Sequence, residues 1–167
     1  MTQRDSKSTA LFLSQGAIIA AMYVALTIIF APISFGAVQV RIAEALTILP
    51  LFTPAAVPGL FIGCLIANGL GGGILLDVIF GSIATLIGAI LGYLLRFNRW
   101  LVPIPAIVSN TVIVPMVLKY GYGIDMPIYL LMIYILIGEI IGCYLLGELL
   151  ATVVLKRENL RNIFGSH

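Results

Sequence analysis

The chain has 167 residues, of which 61% are hydrophobic and 10% charged, with a mean hydropathy of +1.15. A soluble domain carries about 25% charged and about 45–50% apolar residues, so a chain this short has more apolar surface than its own core can hide. The net charge of +2 and the lack of a basic stripe give no basis for a nucleic-acid partner. These numbers predict an all-α integral membrane protein.

The first hydrophobic segment follows Arg4 and Lys7, but it is too long for a signal-peptide core and no A-x-A-like cleavage site follows it. We therefore read it as a retained span ended by Pro32. Proline spacing at Pro50, Pro54 and Pro58 predicts a tight corner between the second and third segments.

The glycine run that follows Leu70 separates the third segment from the fourth. The last segment would be about 43 Å long as a helix, which exceeds a hydrocarbon core of roughly 30 Å, so it must tilt or project. We expect one membrane domain over residues 1–167, with spans at about 10–31, 41–52, 54–70, 74–95, 101–118 and 127–155.

Basic residues fall unevenly on the two sides of this arrangement. If the N-terminus is cytoplasmic, the outer side holds only Arg41 and Lys119. The inner side then holds Arg4, Lys7, Arg96, Arg99, Lys156, Arg157 and Arg161. The positive-inside rule therefore favours a six-transmembrane-helix bundle with both termini in the cytoplasm.

Polar side chains inside the spans are costly and mark functional positions in membrane proteins. Most of them fall in the predicted outer half, with Tyr120, Tyr122, Tyr129 and Tyr134 nearby. Carboxylates and amides can accept hydrogen bonds from N–H donors, and tyrosines can stack on a flat ring. We predict a substrate pocket, open to the outside, formed by Arg41, Glu44, Asn68, Asp77, Asn110, Tyr134 and Glu139.

Structural alternatives exist for several of these residues. Arg41 and Glu44 are spaced to neutralise each other on a helix, which is compatible with lining a site. Asp77 could pair with the dipole of the helix that it begins. Asn68 and Asn110 could hold helices together.

Two glutamates in the last segment receive different interpretations. Glu139 has no basic residue within a helical turn, so a functional role is favoured over a structural one. Glu148 lies closer to the cytoplasmic end, where we expect an interfacial or partner-facing role.

Ala17, Ala21 and Ala25 recur every four residues in the first segment. Small residues at this spacing form a flat ridge that a second helix can approach closely. The ridge either packs inside the chain or, if it faces outward, serves as a docking surface for another protein.

The sequence lacks the common nucleotide-binding and catalytic motifs. It has no G-x-x-x-x-G-K-[ST] phosphate loop, no Ser/His/Asp set and no H-E-x-x-H, and its only histidine is His167. Cys64 and Cys143 lie within apolar runs and read as small core residues, so neither a metal site nor a disulfide is expected. We predict neither an enzyme nor a resident cofactor.

Two stretches resemble one family specifically. The run from Val38 to Pro50, and the run from Gly63 to Asn68 followed by the glycine turn, Asp77 and Gly81-Ser82, resemble the QueT family. Members of this family are substrate-binding (S) components of energy-coupling factor (ECF) transporters assigned to queuosine precursors.

The resemblance implies a six-helix bundle in the bacterial plasma membrane that binds a vitamin-like solute at its outer side. It implies that the face bearing Ala17, Ala21 and Ala25 docks on a transmembrane coupling subunit, and that two cytoplasmic ATPase subunits hydrolyse ATP. The implied solute is a 7-deazaguanine such as queuine or its aminomethyl precursor. Adjacent ring N–H donors would then bind a carboxylate among Glu44, Asp77 and Glu139.

Two other functions remain open at this stage. One is a stand-alone, proton-coupled secondary permease for a small polar solute, with Glu139 as the proton relay. The other is a membrane scaffold in which only the alanine ridge matters. For the transporter reading, we expect the Pro32–Val40 loop and the glycine turn Gly71–Gly73 to act as a lid.

Overall fold

The computed structural model describes residues 3–34 and 39–158, with side chains described from Ser8 onward. Every regular element within these ranges is helical, which confirms the predicted all-α class. The expected lid loop is described only in part, because residues 35–38 lie outside the described residues, as do Arg161 and His167.

The described part of the chain contains seven α-helices, together with 3-10 helices and π-helical segments. The α-helices are α1 (Gln3–Ile29), α2 (Ala31–Ser34), α3 (Ala56–Leu70), α4 (Leu75–Leu94), α5 (Ile104–Met116), α6 (Ile128–Glu139) and α7 (Gly147–Lys156). The 3-10 helices span Ile42–Leu51 and Arg99–Leu101, and the π-helical segments span Val117–Gly121 and Ile140–Leu146. One continuous helical rod, Ile128–Lys156, therefore contains α6, a π segment and α7.

Within the described residues, four helical stretches are long and apolar enough to cross a membrane, which fits a multi-pass membrane protein. They are Ser8–Ile29, Leu75–Leu94, Arg99–Gly121 and Ile128–Lys156. The two remaining segments are shorter: Ile42–Leu51 rises about 20 Å as a 3-10 helix, and α3 rises about 22 Å. Both fall below a hydrocarbon core of roughly 30 Å. The six-span count and the orientation of the termini stay predictions.

Helices α1 and α3 approach closely through small residues. A Cβ at Gly59 would lie 2.7 Å from the backbone oxygen of Gly16, and a Cβ at Gly63 would lie 2.8 Å from the Cβ of Tyr23. Close approach of this kind stabilises membrane helices by packing, since lipid supplies no hydrophobic drive between them. Glycine is therefore required on this face of α3.

The alanine ridge lies on a different face of α1. Ala17, Ala21 and Ala25 are all exposed, whereas Ile19 and Tyr23 on the opposite side are fully buried against α3 and the first 3-10 helix. Within the described part of the chain, the ridge is therefore not used for internal packing.

The 3-10 helix Ile42–Leu51 occupies the centre of the molecule, with every residue from Ala43 to Pro50 buried. The helical rod lies against it through glycines. A Cβ at Gly142 would lie 2.8 Å from the backbone oxygen of Arg41, and a Cβ at Gly138 would overlap the backbone oxygen of Gln39. This contact brings the polar residues of the 3-10 helix and of the rod together.

Candidate substrate-binding site

Glu44 is the innermost carboxylate of a polar cluster at the centre of the helices, and it is 1% exposed. Its Oε1 accepts a short hydrogen bond from the hydroxyl of Tyr23 on α1. The same oxygen lies 3.8 Å from Nε of Arg41, which precedes the 3-10 helix. The predicted Arg41–Glu44 pairing therefore exists, but the closer partner of Glu44 is Tyr23.

Arg41 links the 3-10 helix to α3. Its Nη2 donates to Oδ1 of Asn68 at 2.9 Å and lies 3.7 Å from Sγ of Cys64. Asn68 in turn donates to the backbone oxygen of Asp77, at 3.4 Å, near the start of α4. Asn68 therefore does connect helices, as one alternative predicted, and it does so within the polar cluster.

Glu139 lies at the point where the helical rod changes from α-helix to π-helix. Wider turns of this kind commonly occur at functional sites, because they redirect side chains. Its Oε2 accepts a hydrogen bond from the thiol of Cys143 at 3.0 Å, and the side chain of Asn110 on α5 is a further hydrogen-bond partner. Sγ of Cys143 also lies 4.0 Å from Oε2 of Glu44.

The two carboxylates and the thiol form one compact group. One oxygen of Glu44, one oxygen of Glu139 and Sγ of Cys143 all lie within 4.8 Å of one another, and all three residues are buried. These are donor types that can also bind a divalent cation. Cys143 is buried, as expected of a small core residue, but its thiol also donates to Glu139, a contact that the apolar run around it does not predict.

Asp77 lies in the first turn of α4, at the edge of this cluster. Its Oδ2 accepts a hydrogen bond from the hydroxyl of Tyr122 at 3.1 Å, and that hydroxyl accepts from the backbone N–H of Ile74 at 3.2 Å. Burial, together with the negative charge of Asp77, raises the pKa of Tyr122. Tyr122 therefore keeps its proton and fastens the loop after α5 to the start of α4.

A cavity of about 160 Å³ lies beside Asp77 and Tyr122. Its other lining residues come from the glycine turn, the α5 region and the segment before Arg41, and they are Gln39, Gly71, Gly72, Gly73, Val114, Leu118 and Ile124. The hydrogen-bonded pair Arg41–Asn68 links the backbone of Asp77 to the buried carboxylate of Glu44.

A larger groove of about 400 Å³ lies on the surface between α4 and α5. Its lining is almost entirely apolar and includes Phe80, Val112 and Met116, which are all exposed. Since it presents no charged group to a polar solute, we assign the candidate site to the polar cluster and the smaller cavity.

The structure brings five of the seven predicted residues into one cluster, which is joined through Cys143, and places the other two differently. Arg41, Glu44, Asn68, Asn110 and Glu139 form the cluster. Asp77 touches it through its backbone and otherwise faces the cavity. Tyr134 is half-buried on α6 and makes none of the described side-chain hydrogen bonds.

Three further residues belong to the site. Tyr23, Cys143 and Tyr122 hydrogen-bond Glu44, Glu139 and Asp77, respectively. Cys143 lies one helical turn after Glu139, and Tyr122 is among the tyrosines noted beside the predicted pocket, so only Tyr23 carried no sequence signal.

Glu148 forms an ion pair within the chain, and the expected interfacial or partner-facing role stays a prediction. Its side chain is buried and pairs with Arg99, whose Nη2 lies 2.8 Å and whose Nε lies 3.0 Å from Oε2. Arg99 lies in the turn between α4 and α5, and Glu148 lies in the first turn of α7. The ion pair therefore joins two parts of the chain that are distant in sequence.

The family of the chain follows from its sequence match. A family model described as QueT transporter matches residues 13–156. The chain belongs to the QueT transporter family. This confirms the resemblance noted from the two motifs, and the family is one of transporters, not of enzymes.

The QueT-family chain also has a named relative. Over 86 residues it is 40% identical to the protein called Queuosine precursor transporter QueT from Lactococcus lactis subsp. cremoris (strain MG1363). The alignment covers 50% of this chain and 50% of the relative, so the chain spans about half the length of the curated relative it matches. No solved structure matches the chain.

Proposed function

We propose that this chain is the substrate-binding membrane subunit of an ECF-type ABC importer. It captures a queuosine precursor, queuine or a related 7-deazaguanine, from outside and delivers it through an ATP-driven coupling module. The observation that carries the proposal is the convergence of Arg41, Glu44, Asn68, Asn110 and Glu139 in the interior of a QueT-family chain. The printed name of the Lactococcus relative supports the choice of solute.

The chemistry of the cluster suits a guanine-like ring. Such a ring presents adjacent N–H donors beside a carbonyl acceptor, and it is flat and apolar on both faces. A buried carboxylate accepts the donors and a guanidinium donates to the carbonyl. Glu44 and Arg41 lie side by side with these complementary roles.

Entry requires the polar cluster to open toward the cavity. At about 160 Å³ the cavity is smaller than the roughly 300–1,000 Å³ of typical small-molecule clefts. Parting of the Arg41–Asn68 hydrogen bond would join the cavity beside Asp77 to the carboxylates behind it. The glycine turn borders this route, which supports a role as a lid.

The outward alanine ridge supports docking on a transmembrane coupling subunit. Because Ala17, Ala21 and Ala25 are exposed on α1, a partner helix can approach its backbone closely. In this proposal the two ATPase subunits hydrolyse ATP in the cytoplasm. The chain crosses the bacterial plasma membrane six times, with both termini on the cytoplasmic side.

Binding of queuine to purified protein in detergent tests the solute assignment. We expect saturable binding by isothermal titration calorimetry, and a loss of affinity of at least about tenfold in Glu44→Gln. Glu148→Gln is the matched control, since it removes a buried carboxylate that is remote from the cluster. Absence of binding to the wild-type protein would refute the solute assignment.

Uptake into vesicles tests the coupling. We expect no ATP-dependent queuine uptake by this chain alone, and uptake when the coupling subunit, both ATPases and ATP are supplied. The proton-coupled permease is the alternative, and the burial of Glu139 beside Glu44 favours it. In that case, an inward proton gradient would drive uptake by this chain alone, and Glu139→Gln would abolish it.

The lid is tested at Gly72, whose φ is +78°. Valine there strains the turn by roughly 1–2 kcal/mol, although its Cβ would meet no neighbouring atom. We expect slower binding or release in Gly72→Val with an unchanged helical circular dichroism spectrum. Gly69→Val is the control, because its Cβ also enters open space but its backbone is helical. Rates equal to those of the control would exclude the lid.

A further inference from the structure

The turn between α4 and α5 combines basic and aromatic side chains at one end of the molecule. Its exposed residues include Arg96, Phe97 and Trp100. The guanidinium carbon of Arg96 lies 4.4 Å from the ring centre of Tyr93, and that of Arg99 lies 4.4 Å from the ring centre of Trp100. Because a cation placed over an aromatic face is attracted to it, the turn presents positive charge and apolar ring surface together.

The C-terminal end of the helical rod lies beside this turn. Nη2 of Arg99 donates to Oγ1 of Thr152 on α7 at 3.2 Å. Lys156 follows Thr152 by one helical turn, about 6 Å along the helix axis, and both Lys156 and Arg157 are exposed. The turn and the end of the rod together form one basic surface, which consists of Arg96, Arg99, Lys156 and Arg157.

Positive charge on the basic surface exceeds the negative charge at the same end of the molecule. Among the described side chains there, the acidic ones are Glu148, which pairs with Arg99, and Glu158. Four cations therefore accompany two carboxylates. Arg96 stacks on Tyr93 and forms none of the described ion pairs, so the N–H groups of its guanidinium can donate to an anion.

The ends of the apolar helices place the basic surface at a boundary between membrane and water. Of the described stretches that can cross a membrane, Leu75–Leu94 and Ile128–Lys156 end at this surface, and Arg99–Gly121 begins in it. Tryptophan is enriched at the depth of the lipid headgroups, and basic side chains next to a span attract anionic lipids. A phospholipid with a negatively charged headgroup fits both features.

We propose that the basic surface binds the headgroup of an anionic phospholipid such as phosphatidylglycerol. Arg96 and Lys156 donate to its phosphate, and the ring of Trp100 lies against the glycerol backbone and the upper part of an acyl chain. Arg99 is already paired with Glu148, so it holds the turn against the rod and leaves the phosphate to the other cations. The inference does not rest on the proposed function, because no residue of the candidate substrate-binding site takes part.

Fluorescence of the wild-type protein tests this lipid site. Trp100 is the one tryptophan in the sequence, and bromine quenches tryptophan fluorescence on contact. Phospholipids brominated near the headgroup end of their acyl chains are added to the purified full-length chain in detergent micelles. We expect phosphatidylglycerol to quench with an apparent affinity at least about tenfold higher than phosphatidylcholine, and this preference to fall at high salt. Equal affinities would overturn the proposal, since they would show lipid contact without charge selection.

Variants locate the charges that select the lipid. Both Arg96 and Lys156 are exposed, so Arg96→Gln combined with Lys156→Gln should keep the helical circular dichroism spectrum while the preference shrinks to within about twofold. Lys119→Gln is the matched control, because Lys119 lies at the opposite end of the span Arg99–Gly121 and its Nζ donates to Met126. The control should keep the wild-type preference. A full preference in the double variant would remove Arg96 and Lys156 from the site.

An acidic surface of a protein partner is the competing occupant of the basic surface. Co-purification of the chain with its coupling subunit and ATPases separates the two possibilities. Assembly of the double variant at the wild-type level, together with loss of its lipid preference, would support the lipid site. If the wild type showed no lipid preference and only the double variant failed to assemble, the basic surface would be a protein interface and the lipid proposal would be wrong.

Discussion

Two buried glutamates on one helical rod have opposite environments. Glu148 has a cation of its own, since Arg99 forms two contacts with the same carboxylate oxygen. Glu139 instead receives hydrogen bonds from uncharged groups, and it shares the single guanidinium of Arg41 with Glu44. The first arrangement is balanced and holds helices together. In the second, Glu139 has no cation of its own among the described contacts and lies beside another buried carboxylate, which is why only the second is assigned to function.

The largest loss of stability is expected at Arg41, the one cationic side chain placed against Glu44 and Glu139 among the described contacts. Arg41→Met removes the cation from two buried carboxylates and should lower the free energy of unfolding by about 3–5 kcal/mol. Chemical denaturation in detergent micelles, followed by circular dichroism, measures the change. A loss below about 1 kcal/mol would show that Arg41 is not the electrostatic partner of the cluster.

A smaller loss is expected at the balanced pair. Arg99 is 29% exposed, so water or headgroups can solvate part of the charge left on Glu148. Arg99→Met should therefore lower the free energy of unfolding by about 1–2 kcal/mol. Arg96→Met is the control, because Arg96 is exposed and stacks on Tyr93 without an ion pair. If Arg99→Met matched the control, the pair would contribute nothing to stability.

Replacing each glutamate in turn by glutamine compares the two environments directly. Glu148→Gln leaves Arg99 without its anion and should cost about 1–2 kcal/mol. Glu139→Gln replaces a buried carboxyl that has no cation of its own by a neutral amide and keeps an acceptor for Cys143, so the stability of this variant should stay within about 1 kcal/mol of the wild type or rise. Melting temperatures of the two variants in one detergent decide the matter. If Glu139→Gln lowered the melting temperature more than Glu148→Gln, Glu139 would be the structural residue.

The smallest effect is expected at the edge of the site. Tyr122→Phe removes the hydroxyl that joins Asp77 to the N–H of Ile74, at a cost of about 0.5–1.5 kcal/mol. The substitution loosens the edge of the cavity beside Asp77 and leaves the buried carboxylates unchanged. We therefore expect faster release of queuine with little change in melting temperature. Stopped-flow release measurements check this, and an unchanged release rate would contradict a role for Tyr122 in closing the cavity.

Hydropathy and two sequence motifs were sufficient to predict the all-α membrane class and the QueT family. Long apolar runs allow only helices in a bilayer, because every backbone hydrogen bond must be made within the segment. Polar residues in such runs are rare enough to stand out, which is why Arg41, Glu44, Asn68, Asn110 and Glu139 could be selected from the sequence. The same reasoning could not select Tyr23 or Cys143, since a tyrosine or cysteine among apolar neighbours is ordinary core.

Packing between distant parts of the chain decided the rest. Glu139 meets Glu44 because a 3-10 helix lies against glycines of the rod. Glu148 of α7 meets Arg99, which lies in the turn between α4 and α5. The alanines of α1 face outward because glycines of α3 take up its other face. Local sequence determines how costly a polar residue is in a membrane. Which partner lowers that cost depends on contacts that form only in the folded chain.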